Sequence, residues 1–409
     1  MPERDESATR VPVAAPWPEL DVLRGLAAIA MVANHAVATW YAPGVPLSPL
    51  ADALFAIGGF APVLFFFATG FGSGLQSLRA GGHHRYGLAR KLAILVLADQ
   101  FILWRWGKDP WLGVDFLTFI ALSTAVVEPL RRARGATRIA LSAAGGVLLA
   151  RFLLAPLIDV AAADAGTSWL LRLAGRAPTP GIAYPLLPWI AIPLLGFAAG
   201  RELGRHRTAF ERAPWRVIAL GAALCALGAA TSALLASHGF VVNRYGVMSA
   251  GYAPLVPAAI GGAAAIAVAI ARAPALARAV ELRGMASLAV VPLHFAVLYA
   301  IAPEVRPAPR DAAVAALVAA SAALCVAAAK VFAAAVARAN AAASARVRLA
   351  SWMVAVGYVA GVAGVLLVPL EASPLGRHLS AAGAQLVLCA LLVLDAPGGR
   401  RSARAERRR

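Results

Sequence analysis

The chain has 409 residues, of which 61% are hydrophobic and only 14% charged, and it carries a formal net charge of +18 with a mean hydropathy of +0.74. A soluble chain of this length needs far more charge to cover its surface, whereas lipid-facing helices need almost none, so the composition reads as a multi-pass membrane protein. The positive balance does not point to nucleic acid as a partner, because its distribution along the chain follows the bilayer.

In chain order, residues 1–19 are Pro-rich and mixed in charge and read as a disordered cytoplasmic arm. Apolar runs of about 18 residues or more, separated by Pro, Gly and charge, then predict an all-α bundle of about 12 transmembrane helices, with 10–12 as the range. They fall near 20–41, 52–78, 88–106, 110–130, 139–158, 182–200, 215–237, 249–271, 284–302, 311–337, 349–370 and 379–396. Residues 20–396 form the membrane domain and 397–409 a basic cytoplasmic tail that sits near anionic lipid. With the N-terminus cytoplasmic, the segments on that side hold 29 of the 38 Lys and Arg residues. This positive-inside asymmetry puts both termini in the cytoplasm, and the chain is expected in the plasma (inner) membrane.

Helix 1 carries the most informative run, Leu20 to His35, with Asp21 and Arg24 at its entry and Asn34 and His35 at its far end. At 1.5 Å per residue His35 lies ~21 Å from Asp21, about two-thirds of the way across a ~30 Å hydrocarbon core. Ionisable groups at that depth mark functional sites by default. The plainer reading has Asp21 and Arg24 marking the membrane boundary and His35 making an interhelical hydrogen bond. A cleaved signal peptide, suggested by Ala36-Val37-Ala38, fits poorly with Asp21 beside Arg24. Asp52 opens helix 2 on the outer side, as a helix-capping acid or as a partner for an imidazole. Arg151 lies well inside helix 5, where an arginine should face a cavity or a partner.

Helix 6 opens with Tyr184-Pro-Leu-Leu-Pro-Trp189, whose prolines are tolerated in first turns and whose aromatic residues suit the membrane interface. Helix 9 carries Leu282-Arg-Gly-Met-Ala-Ser-Leu-Ala-Val-Val-Pro-Leu-His294. Arg24 and His35 are eleven residues apart, as are Arg283 and His294. Both helices run in the same direction, so each pair spans ~16 Å and the two histidines reach similar depth. A structural hydrogen bond near Pro292 is the alternative for His294. Cys225, Cys325 and Cys389 all lie within helices without Cys-x-x-Cys spacing. The sequence has no phosphate-binding loop, no Gly-x-Gly-x-x-Gly and no His-Glu-x-x-His, so neither an ATP-driven pump acting alone nor a metal site is expected.

Four segments in order, Asp21-Val-Leu-Arg-Gly-Leu-Ala, Phe65-Phe-Phe-Ala-Thr-Gly70, Tyr184 through Gly196, and Ser287 through His294, resemble the heparan-α-glucosaminide N-acetyltransferase family and its bacterial relatives. The resemblance covers 20 to about 300, and the Asp, Arg and His series of helix 1 is also similar to acyltransferase type 3 proteins. It implies an acyltransferase that moves an acetyl group from cytoplasmic acetyl-CoA, a co-substrate, to an amine or hydroxyl on a sugar or cell-envelope glycan. The family's lysosomal enzyme is expected to have asparagine at the position of His35 and a catalytic histidine in the following loop. Residues 36–50 contain no histidine here, so that role falls to His35 or is absent.

Thioester acyl transfer needs a base near neutral pH, which imidazole supplies. His35 is therefore the candidate base, with Asn34 as a donor to the developing oxyanion, Asp52 as an orienting group and His294 serving substrate or leaving group. Arg24, Arg90, Lys91 and Arg283 are candidates for the anionic phosphates of the donor, although topology alone also accounts for each of them. Tyr184 and Trp189 are candidates for the acceptor pocket, and one cavity along helices 1 and 9 would join the two ends. The partners expected are the lipid bilayer and a sugar or glycan acceptor, with a homodimer left open. A secondary transporter or exporter of a small polar molecule is the alternative, and a non-catalytic partner in glycan assembly a third reading. No pair of broken helices in matching halves supports the transporter.

The charge asymmetry predicts that the loops around Arg85, Arg132, Arg205, Arg278 and Arg346 face the cytoplasm. In a variant without native cysteines, a cysteine introduced at Arg132 should resist impermeant thiol reagents in intact cells and react after permeabilisation. Labelling from outside overturns the orientation.

Overall fold

A computed structural model describes residues 17–41, 44–78, 85–105, 113–161, 182–242, 248–301, 311–342, 345–367 and 374–394. The expected arm up to residue 16 and the basic tail 397–409 lie outside the described residues. Within them the chain is helical, with one isolated parallel bridge between Val114 and Ile182. The longer helices are α1 (Pro18–Trp40), α2 (Pro49–Gly58), α3 (Ala61–Gln76), α4 (Arg85–Arg105), α5 (Phe116–Val127), α6 (Ala136–Ala161) and α7 (Ala191–Arg205). They continue with α8 (Trp215–Ser237), α9 (Leu255–Ala271), α10 (Val290–Ile301), α11 (Asp311–Ala342), α12 (Ala345–Leu367) and α13 (Pro374–Leu394).

Among the described residues, 7 helical runs are long and apolar enough to cross a membrane, and three shorter apolar helices accompany them. That finding supports an all-helical membrane protein without reaching the expected count of 12. The run expected at 110–130 yields only the 12-residue α5, ~18 Å long, followed by a 3-10 turn at Glu128–Arg132. Helix α4 has the length to span but carries Arg85, Arg90, Lys91, Asp99 and Arg105. The run expected at 52–78 is broken at Gly59 and Phe60 into α2 and α3.

Local chemistry explains the element starts. Pro18 and Pro49 occupy first-turn positions, where a missing N–H costs nothing, and Ser48 caps α2 by accepting from the Ala51 amide at 3.2 Å. At α5 the buried Asp99 carboxylate accepts from the Asp115 and Leu117 amides, each at 2.9 Å, while Asp115 accepts from the Phe116 amide. These bonds satisfy amides that a helix leaves without internal partners at its start.

Water does not drive helices together inside a bilayer, so close backbone approach through small residues has to. Helices α3 and α7 show this most clearly. A Cβ at Gly70 would overlap the Pro193 carbonyl, one at Gly74 the Phe197 carbonyl, one at Gly196 the Phe67 carbonyl and one at Gly200 the Phe71 carbonyl. The two Gly-x-x-x-Gly pairs thus interlock reciprocally. Helices α8 and α9 meet in the same manner, Gly221 against the Gly261 carbonyl and Gly228 against the Pro254 carbonyl. Helix α1 occupies the centre: its buried residues run from Leu20 to Trp40, and it packs against α2, α3, α9, α10 and α11. By contrast α6 and α8 expose most of their apolar surface.

Gly70→Leu or Gly196→Leu should force α3 and α7 apart at a cost of ~1–3 kcal/mol or more. Gly145 on α6 is exposed with open space beside it, so Gly145→Leu should be neutral. Thermal unfolding in detergent checks this, and equal midpoints for Gly70→Leu and wild type would contradict the interlock.

Candidate active site

His35 lies near the end of α1 and His294 in the second turn of α10. His294 Nε2 is 3.3 Å from His35 Nδ1, with the rings nearly perpendicular at 79° and centroids 4.9 Å apart. His294 is only 1% exposed, and its Nδ1 lies 3.0 Å from the Val290 carbonyl one turn back. The Phe295 ring flanks both imidazoles, with centroids 4.0 Å from His294 and 5.0 Å from His35. Around this end of α1 the apolar side chains of Val37, Trp40, Leu298, Val314 and Val318 form a small core of their own.

The segment before α10 sets this meeting. The Leu282 amide donates to the Asp21 carbonyl at 2.9 Å, and a Cβ at Gly25 would overlap the Val280 carbonyl. From there His35 lies fourteen residues along α1, but His294 only twelve residues along its own segment. The deficit of two residues is ~3 Å of helix. Gly284–Ala289 is a 3-10 helix of 6 residues, whose rise exceeds that of an α-helix by ~0.5 Å per residue and so recovers ~3 Å.

Around the Asp21 end of α1, charges gather. Arg24 Nη1 donates to Asp21 Oδ1 at 2.7 Å, and Arg283 Nη2 to Glu281 Oε1 at 3.0 Å. Arg24 is largely covered, at 17% exposure, whereas Arg283 is 75% exposed. Asp21 and Lys330 both lie within electrostatic reach of Glu281 and Arg283. The Lys330 ammonium also donates to the Arg278 and Ala279 carbonyls, the latter at 2.8 Å, closing the short helix Pro274–Val280. Neither Lys330 nor Glu281 stands among the candidates that the sequence offers. A lone Lys in the Ala-rich α11 was the available signal.

The remaining candidates fall elsewhere. Asn34 turns ~100° away from His35 on α1, and its Nδ2 donates to the Phe55 carbonyl at 2.8 Å, where Gly58 makes room for it. Asp52 is exposed in the first turn of α2 and, among the described residues, makes no side-chain hydrogen bond to either imidazole. Arg90 and Lys91 belong to α4, which packs chiefly on α5 and α13, and Arg90 stands over the Trp352 ring at 5.6 Å. The structure therefore groups Arg24 with Arg283 but not with this second pair. Tyr184 and Trp189 are buried in an aromatic cluster: Tyr184 meets Trp189 at 5.1 Å and Phe66 at 5.2 Å, and Phe66 meets Phe119 at 4.3 Å. Arg151 is buried within α6. No group of three His, Cys, Asp or Glu side chains suited to a metal occurs among the described residues.

The described residues thus form a helical bundle with runs long and apolar enough to cross a membrane, inside which two imidazoles face each other. Residues 17–240 match the family model described as heparan-alpha-glucosaminide N-acetyltransferase, catalytic, and the chain belongs to that family. The match covers α1 to α8, including His35, and is shorter than the 20–300 over which the motifs resemble the family; Arg283 and His294 lie beyond it. No curated protein and no solved structure matches the chain. Membership makes the protein a membrane acetyltransferase by family.

Proposed function

We propose that the protein, in the plasma (inner) membrane, transfers an acetyl group from cytoplasmic acetyl-CoA to an amine or hydroxyl of a sugar or cell-envelope glycan. The observation that carries this reading is that His35, within the family match, faces His294 along a helix whose other end gathers Arg24 and Arg283. At the Asp21 end the phosphates of the donor meet Arg24 and the exposed Arg283, whose planar guanidinium groups suit them. At the histidine end the acceptor oxygen or nitrogen attacks the thioester carbonyl carbon, the C–S bond breaks, and the proton lost by the acceptor ends on the coenzyme thiol. His35 serves as base for that proton.

Purified protein incubated with labelled acetyl-CoA and a panel of amino sugars and glycans should move label to at least one acceptor. His35→Ala should reduce turnover ~10²-fold or more while leaving insertion and folding intact. Wild-type turnover in that variant removes His35 from the chemistry.

Arg24→Ala and Arg283→Ala should each raise the KM for acetyl-CoA, by ~10-fold for a lost charge-assisted contact, with the acceptor KM unchanged. Donor affinity preserved in both variants would move the donor site away from this end of α1. Arg283 is the cleaner probe because its side chain is largely exposed.

A further inference from the structure

We infer that His294 is a positioning residue that holds His35 in the tautomer with its proton on Nδ1, making Nε2 of His35 the atom that takes the acceptor's proton. The inference rests on the acyl-transfer reading above for its catalytic consequence, and on hydrogen-bond geometry for the tautomer itself. A carbonyl oxygen only accepts, so His294 Nδ1, 3.0 Å from the Val290 carbonyl, carries a proton and donates it. A neutral imidazole has one such proton, which leaves a lone pair on His294 Nε2. That lone pair faces His35 Nδ1 at 3.3 Å, so His35 Nδ1 is the donor and His35 Nε2 bears the basic lone pair.

The arrangement is difficult to invert. Val290 and His294 are one turn apart on the same helix, so the acceptor for Nδ1 is fixed by α10 itself and not by a mobile side chain. The ring of His294 is buried, and Phe295 packs against both imidazoles, which restricts ring flips. On α1 the backbone below His35 is likewise held, its carbonyl accepting from the Thr39 hydroxyl at 2.6 Å.

During transfer the acceptor's proton moves to His35 Nε2 as its oxygen or nitrogen bonds to the acetyl carbonyl carbon. The resulting imidazolium keeps its Nδ1–H bond to His294. When the C–S bond breaks, the Nε2 proton passes to the departing thiolate, and both imidazoles return to their starting tautomers. A doubly protonated His294 would instead donate to His35 Nδ1, force the His35 proton onto Nε2 and remove the base.

The test uses the full chain in lipid nanodiscs with ¹⁵N-labelled histidine, the His35 signals being assigned by their loss in His35→Gln. Wild-type His35 should show a protonated Nδ1 and an unprotonated Nε2. His294→Leu should abolish that preference and lower kcat ~10-fold or more with both KM values unchanged. His294→Gln, whose amide oxygen can accept from Nδ1–H, should retain the tautomer and most of kcat. A wild-type His35 protonated on Nε2, or a tautomer unchanged in His294→Leu, overturns the inference. The spectra need no turnover, so absence of acetyl transfer would refute the proposed reaction while the tautomer result still decides the role of His294.

Discussion

The backbone hydrogen bond from the Leu282 amide to the Asp21 carbonyl ties the start of α1 to the extended segment that feeds α10. A buried amide left unsatisfied costs about 1–3 kcal/mol, so the irregular backbone at Leu282, a residue only 1% exposed, depends on another segment to answer it. Here the answer comes from the first turns of α1, and Gly25 allows it by leaving space for the Val280 carbonyl. Once this junction is set, the directions of α1 and α10 follow, and so does the pairing of imidazoles at their far ends. The 3-10 stretch Gly284–Ala289 is the length adjustment that makes the pairing possible.

Around this central helix the bundle is held by two kinds of packing. The interlocked glycines of α3 with α7 and of α8 with α9 bring backbones together, while the rings of Phe66, Phe116, Phe119, Tyr184 and Trp189 fill the space between α3, α5 and the start of α7. The first kind gives close approach without side-chain entropy, and the second gives large contact area with defined ring geometry. Both press on the face of the bundle that also supports α1 through α3. Polar residues are used sparingly and locally, as where Asp99 closes the start of α5 and Gln385 donates to the Ala98 carbonyl at 3.0 Å.

Much of this was legible from the residues. Hydropathy found the apolar runs because the bilayer demands them, and equal spacing put His35 and His294 at similar depth because both helices run the same way; that their rings meet is a matter of which helices neighbour each other. What spacing along one helix cannot give is rotation about its axis, which turned Asn34 toward α2. Nor does sequence say which helices neighbour one another, so nothing in it separates Arg90 and Lys91 from Arg24, whereas α4 lies against α5 and α13. Tyr and Trp serve equally at a membrane surface and in a core; the packing of Phe66 against them decided for the core. The run expected at 110–130 yields only the 12-residue α5 because the helix passes at Glu128 into a charged 3-10 turn, Glu128-Pro-Leu-Arg-Arg132. The glycine spacings of α3 and α7 were visible but carry no address for their partner.

The pairing of His35 with His294 joins residues 259 positions apart, and this has a consequence for biogenesis. Ribosomes add ~5–20 residues per second, so α1 enters the membrane roughly 13–50 seconds before the helix bearing its histidine partner has been made. Asn34 waits far less, since its acceptor on α2 lies only 21 residues downstream. The nascent chain therefore completes the Asn34 contact of α1 early and its His35 contact late. Until α10 arrives, the imidazole of His35 must be accommodated by water, lipid headgroups or the insertion machinery.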